Sequence, residues 1–160
     1  MNVDKINDVK SGYDKLNEVV EKIVRAYTKD LDKIIVDTRD KLNKKLLTSA
    51  ELQKVIIEIP LAIYFVNTEL ERIILKENIA KELSKVKYNE IISRTSGTVA
   101  TKTAEAESGT VDERMVEYLY KTTSNRIKSK IDTLEELLNS CKKVLTFRIS
   151  ELELEGGDNY

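Results

Sequence analysis

A chain of 160 residues is long enough for one domain with a substantial core and too short to expect two. Its 27 basic and 28 acidic residues leave a formal net charge of −1, so any binding to nucleic acid or an anionic membrane has to rest on local patches. The lack of histidine excludes His-dependent triads, general bases and zinc sites, and only 5 Gly and 1 Pro in a chain rich in Lys, Glu, Leu and Ile point to long helices with few turns.

The first segment carries Ile6, Val9, Tyr13, Leu16, Val20, Ile23, Tyr27, Leu31, Ile34, Thr38 and Leu42 at intervals of three and four. That spacing predicts an amphipathic helix over about residues 4–47. Gly12 weakens its first turns by about 1 kcal/mol relative to Ala, which leaves a start after Gly12 open.

Thr48-Ser49-Ala50-Glu51 reads as a capping box, in which a hydroxyl takes a free amide and the glutamate reaches back. A second helix over 49–93 follows, its stripe running from Leu52 and Val55 through Ile59, Ile63, Val66, Leu70, Ile73 and Ala80 to Leu83 and Ile91. Pro60 lacks an amide donor and crowds the preceding turn, so a kink near Glu58–Pro60 is expected. The most hydrophobic window, Val55 to Val66, is well short of the roughly 20 residues a bilayer requires, and reads as a buried helix segment.

The pattern stops between Ser93 and Thr110, where Ser96-Gly97-Thr98 and Ser108-Gly109-Thr110 are loop chemistry. A mobile loop over 93–110 is expected. The stretch Val99 to Glu107 has the composition for a short helix but little to bury. Thr110-Val111-Asp112-Glu113 is a second capping box, opening a third helix over 111–154 with a stripe from Val116, Leu119 and Thr123 to Leu152. Residues 155–160 supply a glycine stop and an acidic tail.

The expected fold is therefore all-α: a single domain of three long amphipathic helices in a coiled-coil-like bundle. Helices of about 40 residues run about 60 Å, which leaves apolar surface for partners to cover. A homo-oligomer is expected, with its interface on the continuous stripe Ile127, Ile131, Leu134, Leu138, Cys141, Leu145 and Ile149.

No feature calls for catalysis. There is no Gly-x-x-x-x-Gly-Lys loop and no Gly-x-Gly-x-x-Gly. Cys141 lies on the apolar stripe between Leu138 and Val144 and reads as a core thiol. Acid pairs such as Asp112-Glu113, Glu135-Glu136 and Asp30 with Asp32 are ordinary solvated faces, so neither a metal nor a cofactor is expected. A single cysteine fits a reducing compartment, and the N-terminus shows no basic stretch followed by an apolar run. The expectation is a cytoplasmic protein without a membrane partner, in the host bacterial cytoplasm if phage-encoded.

The basic residues are the informative ones. Lys81, Lys85, Lys87, Arg94 and Lys102, interleaved with Tyr88, lie on the end of the second helix and in the segment after it. Lys121, Arg126, Lys128 and Lys130 form a run without acids early in the third helix. Lysine and arginine track a phosphate backbone while a tyrosine face stacks an unpaired base, although such runs are commonly just solvated helix faces. Lys85-Val86-Lys87-Tyr88, then Ser96-Gly97, then a long helix with Leu134, Leu138, Cys141, Leu145 and Ile149, resembles the phage recombination mediator UvsY family over roughly Lys81 to Leu152. In that family a Lys-x-Arg-type motif with nearby aromatics binds single strands, C-terminal helices assemble a ring, and a recombinase is loaded onto DNA covered by a single-strand binding protein. The resemblance implies phosphate contacts at Lys85 and Lys87 with Tyr88 beside them, and Arg94 extends that surface by its charge alone. Lys87 stands where the prototype has arginine, and the helix before Leu47 looks like an addition to the family core.

Two functions from different classes follow. One is a non-enzymatic mediator whose homo-oligomer holds single-stranded DNA. The other is a helical protein-interaction module (a phage structural adaptor, a scaffold or an inhibitor of a host defence protein) that ignores nucleic acid.

Overall fold

The computed structural model describes residues 3–157, with side chains from 12 to 154. Among the described residues it is all-helical: α1 (Val3–Asn43), α2 (Ser49–Arg94), α3 (Val99–Gly109) and α4 (Val111–Gly157). The acidic side chains of the tail, Glu155 and Asp158, lie outside the described side chains, as do Ile6 and Val9. The helix begins at Val3, so Gly12 does not delay it.

α1 ends at Asn43, short of the expected boundary near Leu47, and the backbone shows why. The Leu46 amide reaches the Lys41 carbonyl at 2.9 Å and the Lys45 amide reaches that of Leu42 at 3.1 Å. This pair of bonds is a Schellman stop, and it places Lys45 in the left-handed region at φ 55°. Leu47 is thereby turned inward and buried. At the start of α2 the capping box closes as the sequence indicates: the Glu51 amide donates to Thr48 Oγ1 at 3.2 Å, and Glu51 Oε2 accepts the Thr48 amide at 2.8 Å. The helix then runs unbroken through Pro60 to Arg94.

The segment 93–110 corrects the expected loop. Gly97 takes φ 125°, a conformation that favours glycine, and Thr98 caps an 11-residue helix by accepting from the Thr101 amide at 3.3 Å. What α3 buries is small but sufficient: Ala106 is fully enclosed, and Gly109 lies so near Ile91 that an added Cβ would come within 2.5 Å of Ile91 Cδ1. Close approach of small residues replaces the large apolar stripe a sequence pattern looks for.

The residues group into two compact units: Met1–Arg25 with Glu69–Arg126, and Ala26–Thr68 with Ile127–Tyr160. The first unit buries Val20, Val24, Leu70, Ile73, Ala80 and Ala106 together with the polar Ser84, Thr110, Thr123 and Ser124. The second has the more aliphatic interior, with Leu31, Leu47, Leu52, Ile59, Val66, Ile127, Ile131, Leu134, Leu137 and Cys141 buried. Within it Leu47, Leu52 and Cys141 form a cluster against which Leu42, Val55, Ile56, Val144 and Leu145 pack, and burial pushes the Cys141 thiol pKa up. Arg148 closes this cluster by donating to the Leu47 carbonyl at 2.6 Å.

Candidate interaction surfaces

The predicted basic site lies wholly in the first unit, on α2 and α3, and the structure divides it. Lys81, Lys85 and Tyr88 recur at intervals of four and three, so they share one helix face. They line a groove of about 510 Å³ together with Arg114 of α4, and with the acids Glu107 and Glu117. Lys87 follows Lys85 by two residues, a rotation of about 200° around the helix, and so leaves that face. It pairs instead with Glu113 of α4 at 2.6 Å. Arg94 and Lys102 do not line the groove; Arg94 is exposed and lies 3.8 Å from Glu90. Lys85 is itself bonded to Glu82 at 2.7 Å.

Arg114 is the groove residue that sequence reasoning missed. Its Nε and Nη2 donate to Thr110 Oγ1 at 3.2 and 3.0 Å, and Nη2 also donates to the Glu107 carbonyl at 3.1 Å. Thr110 in turn donates to the Ala106 carbonyl at 2.8 Å. The second capping box therefore does not form: its hydroxyl serves the end of α3, and its glutamate is taken by Lys87. Recognising α3 as a helix is the signal that would have placed Arg114, because only then does the Thr110 hydroxyl have an orphan carbonyl beside it.

Ion pairs engage five of the nine cations in the two basic runs. The Lys87 ammonium, then the amide of Glu113 itself, hold the Glu113 carboxyl below the usual range, and Lys85 does the same to Glu82. The acid-free run on α4 draws its acids from α1, since Arg126 pairs with Glu21 in the first unit, and Lys130 with Asp32 at 2.6 Å in the second. A count along the chain does not see these partners.

The apolar surface is more extensive than the sequence pattern implies. In the first unit the inward register of α2 is Leu70, Ile73, Ala80 and Ser84, with Glu77 bonding the buried Ser124 at 3.0 Å. Leu83, placed on the core stripe by its spacing, lies about 100° from Ser84 and is 59% exposed, alongside Leu75, Ile79 and Val86. In the second unit the window Val55 to Val66 is buried on one side only. Ile59 and Val66 are enclosed, but Ile57 (64%), Leu61 (55%), Tyr64 (68%) and Phe65 (69%) face outward, with the two aromatic rings edge to face at 5.7 Å. One side of a helix this apolar all round suffices to join the interior, and the opposite side remains.

The predicted oligomer stripe on α4 is used inside the chain over most of its length. Ile127, Ile131, Leu134 and Cys141 are buried, Leu138 and Leu145 are half-buried, and only Ile149 is exposed. Exposed apolar surface lies instead on α2 and on the last turns of α4, at Phe147, Leu152 and Leu154. Among the described residues no group of acids and cysteine is arranged to hold a metal ion, and no helix is long and apolar enough to cross a membrane.

Compared with known proteins, the chain matches no protein-family model, no curated protein and no solved structure.

Proposed function

We propose that this chain is a non-enzymatic helical protein-interaction module that works through exposed apolar helix faces. One observation carries the reading: residues 59–68 contain no charge in a chain that is 34% charged, yet half of that helix surface is left outside the core. A helix apolar all round is normally covered on all sides, and a large apolar patch on a soluble surface marks an interface. The opposing fact is equally physical. Of the nine basic residues in the two runs, Lys85, Lys87, Arg94, Arg126 and Lys130 each have a carboxylate within 4 Å, so a phosphate backbone would compete there with acids already in place.

A second reading, a single-strand binder that loads a recombinase, is favoured by one feature: the groove that sets Lys81, Lys85 and Arg114 around Tyr88. Titration of the purified chain into labelled single- and double-stranded oligonucleotides at about 50 and about 200 mM salt separates the two, because phosphate-based binding falls steeply over that interval. The interaction module leaves both oligonucleotides unbound at the lower salt. Single-strand binding that weakens with salt, and is lost in Lys81→Glu/Lys85→Glu with helicity intact, replaces it with the second reading.

A further inference from the structure

We propose that the outward face of α2 in the second unit, formed by Ile57, Leu61, Tyr64 and Phe65, packs against the same face of a second copy of this chain across a two-fold axis near Leu61. The proposal rests on the interaction-module reading and names its partner. These four side chains are each more than half exposed although the opposite side of the same turns, Ile59 and Val66, is buried. The face is thus not a disordered remnant of a poor core but the second apolar side of a well-seated helix.

Size is the first argument for a copy of the same chain. At about 200 Å² for a large side chain, the four present on the order of 500 Å² at the exposures observed, and two such faces together on the order of 1,000 Å². That is about the area at which specific interfaces separate from incidental contacts. Charge is the second. Two-fold packing sets every residue near its own counterpart, which normally brings like charges together. Here the run 59–68 has no charge to repel, and the acids that flank it in sequence, Glu58 and Glu69, are each balanced on the same helix, by Lys54 at 3.6 Å and by Arg72 at 2.8 Å. A strongly acidic or basic partner would find nothing here to pair with, whereas an identical face meets it on equal terms. Register is the third. Ile57 and Phe65 lie four residues before and after Leu61, about 6 Å along the axis each way, so antiparallel α2 helices centred on Leu61 bring Ile57 of one copy level with Phe65 of the other. Tyr64 and Phe65 supply the rigid aromatic anchors that dominate such contacts.

The test uses the full chain and exploits the symmetry. Mass in solution is measured by light scattering from about 1 to about 100 μM, the range that suits an interface of this modest area. The unmodified chain shows a concentration-dependent dimer. Leu61→Glu and Leu61→Lys each place two like charges at the axis and raise the dissociation constant about a hundredfold or more, with unchanged circular dichroism. An equimolar mixture of the two variants recovers the dimer, a rescue that misfolded chains cannot give. A monomer at all concentrations overturns the proposal, as does a dimer indifferent to both substitutions or a mixture that stays monomeric. Failure here is distinct from failure of the interaction-module reading, which is the salt-sensitive capture of single-stranded DNA.

Discussion

The same four-residue signature, Thr-x-x-Glu, precedes α2 in the second unit and α4 in the first, and the two units use it differently. At Thr48 both halves close on each other, with Glu51 returning to the threonine amide and hydroxyl. At Thr110 neither half does: the hydroxyl bonds α3 and Arg114, and Glu113 bonds Lys87. The local chemistry is identical, so the difference comes from what stands nearby. Thr48 is the last residue of a five-residue connection, whereas Thr110 directly follows a helix whose last carbonyls need donors. The interiors differ in the same sense. Among the described side chains, the second unit is held by aliphatic packing around Leu47, Leu52 and Cys141 with Thr28 and Thr38 also buried, and the first by fewer buried apolar side chains and four buried hydroxyls.

The largest expected effect breaks that aliphatic packing. Leu52→Ala removes a fully buried side chain and costs about 3 kcal/mol, read as a lower urea midpoint. Leu83→Ala, at a position that periodicity alone would place in the core, changes stability by less than about 0.5 kcal/mol. Equal effects of the two would mean that Leu83 is covered.

Next come the two threonines. Thr110→Val leaves the Ala106 carbonyl and Arg114 without their shared partner in a buried position and costs about 2 kcal/mol. Thr48→Ala removes a solvent-facing cap and costs about 1 kcal/mol. If Thr110 is the cheaper loss, it acts as an ordinary cap after all.

A smaller change has the opposite sign. Lys45 holds a left-handed conformation that costs a side-chain-bearing residue about 1–2 kcal/mol, so Lys45→Gly raises stability, by about 0.5–1 kcal/mol once the greater freedom of glycine in the unfolded chain is subtracted. A loss of stability would show that the lysine makes a contact worth more than its backbone strain.

How much of this was legible beforehand follows from the range of each interaction. Three of the helices were readable because a period near 3.6 is written in neighbouring residues, and the Thr48 box because its partners are three residues apart. α3 was not, since its burial rests on Ala106 and on the approach of Gly109 to Ile91, a contact with a residue 18 positions earlier. The groove was half legible: the spacing of Lys81, Lys85 and Tyr88 places them on one face, but Arg114 joins them only through the fold. The pairing of Lys87 was hidden for the same reason. Its acid, Glu113, is 26 residues away.

That pair also supplies the smallest test. Glu51 and Glu113 both have carboxyl pKa values held low in the folded chain, the first chiefly by the Thr48 amide and the second chiefly by Lys87. A carboxyl whose folded value lies below its unfolded value of about 4.3 adds stability that is complete above about pH 5 and is lost as pH falls through the folded value. Between about pH 5 and pH 3 the urea midpoint therefore falls, and Glu51→Gln or Glu113→Gln each makes that fall shallower. The threonine and lysine substitutions separate the causes. Lys87→Met removes the main reason for the low Glu113 value and flattens the acid limb, while Thr48→Ala leaves the backbone amide in place and preserves most of the Glu51 contribution. A Lys87→Met chain with an unchanged acid limb would mean that the amide of Glu113 itself holds the carboxylate, and that the first turn of α4, rather than the ion pair, is what diverts this glutamate from the capping box.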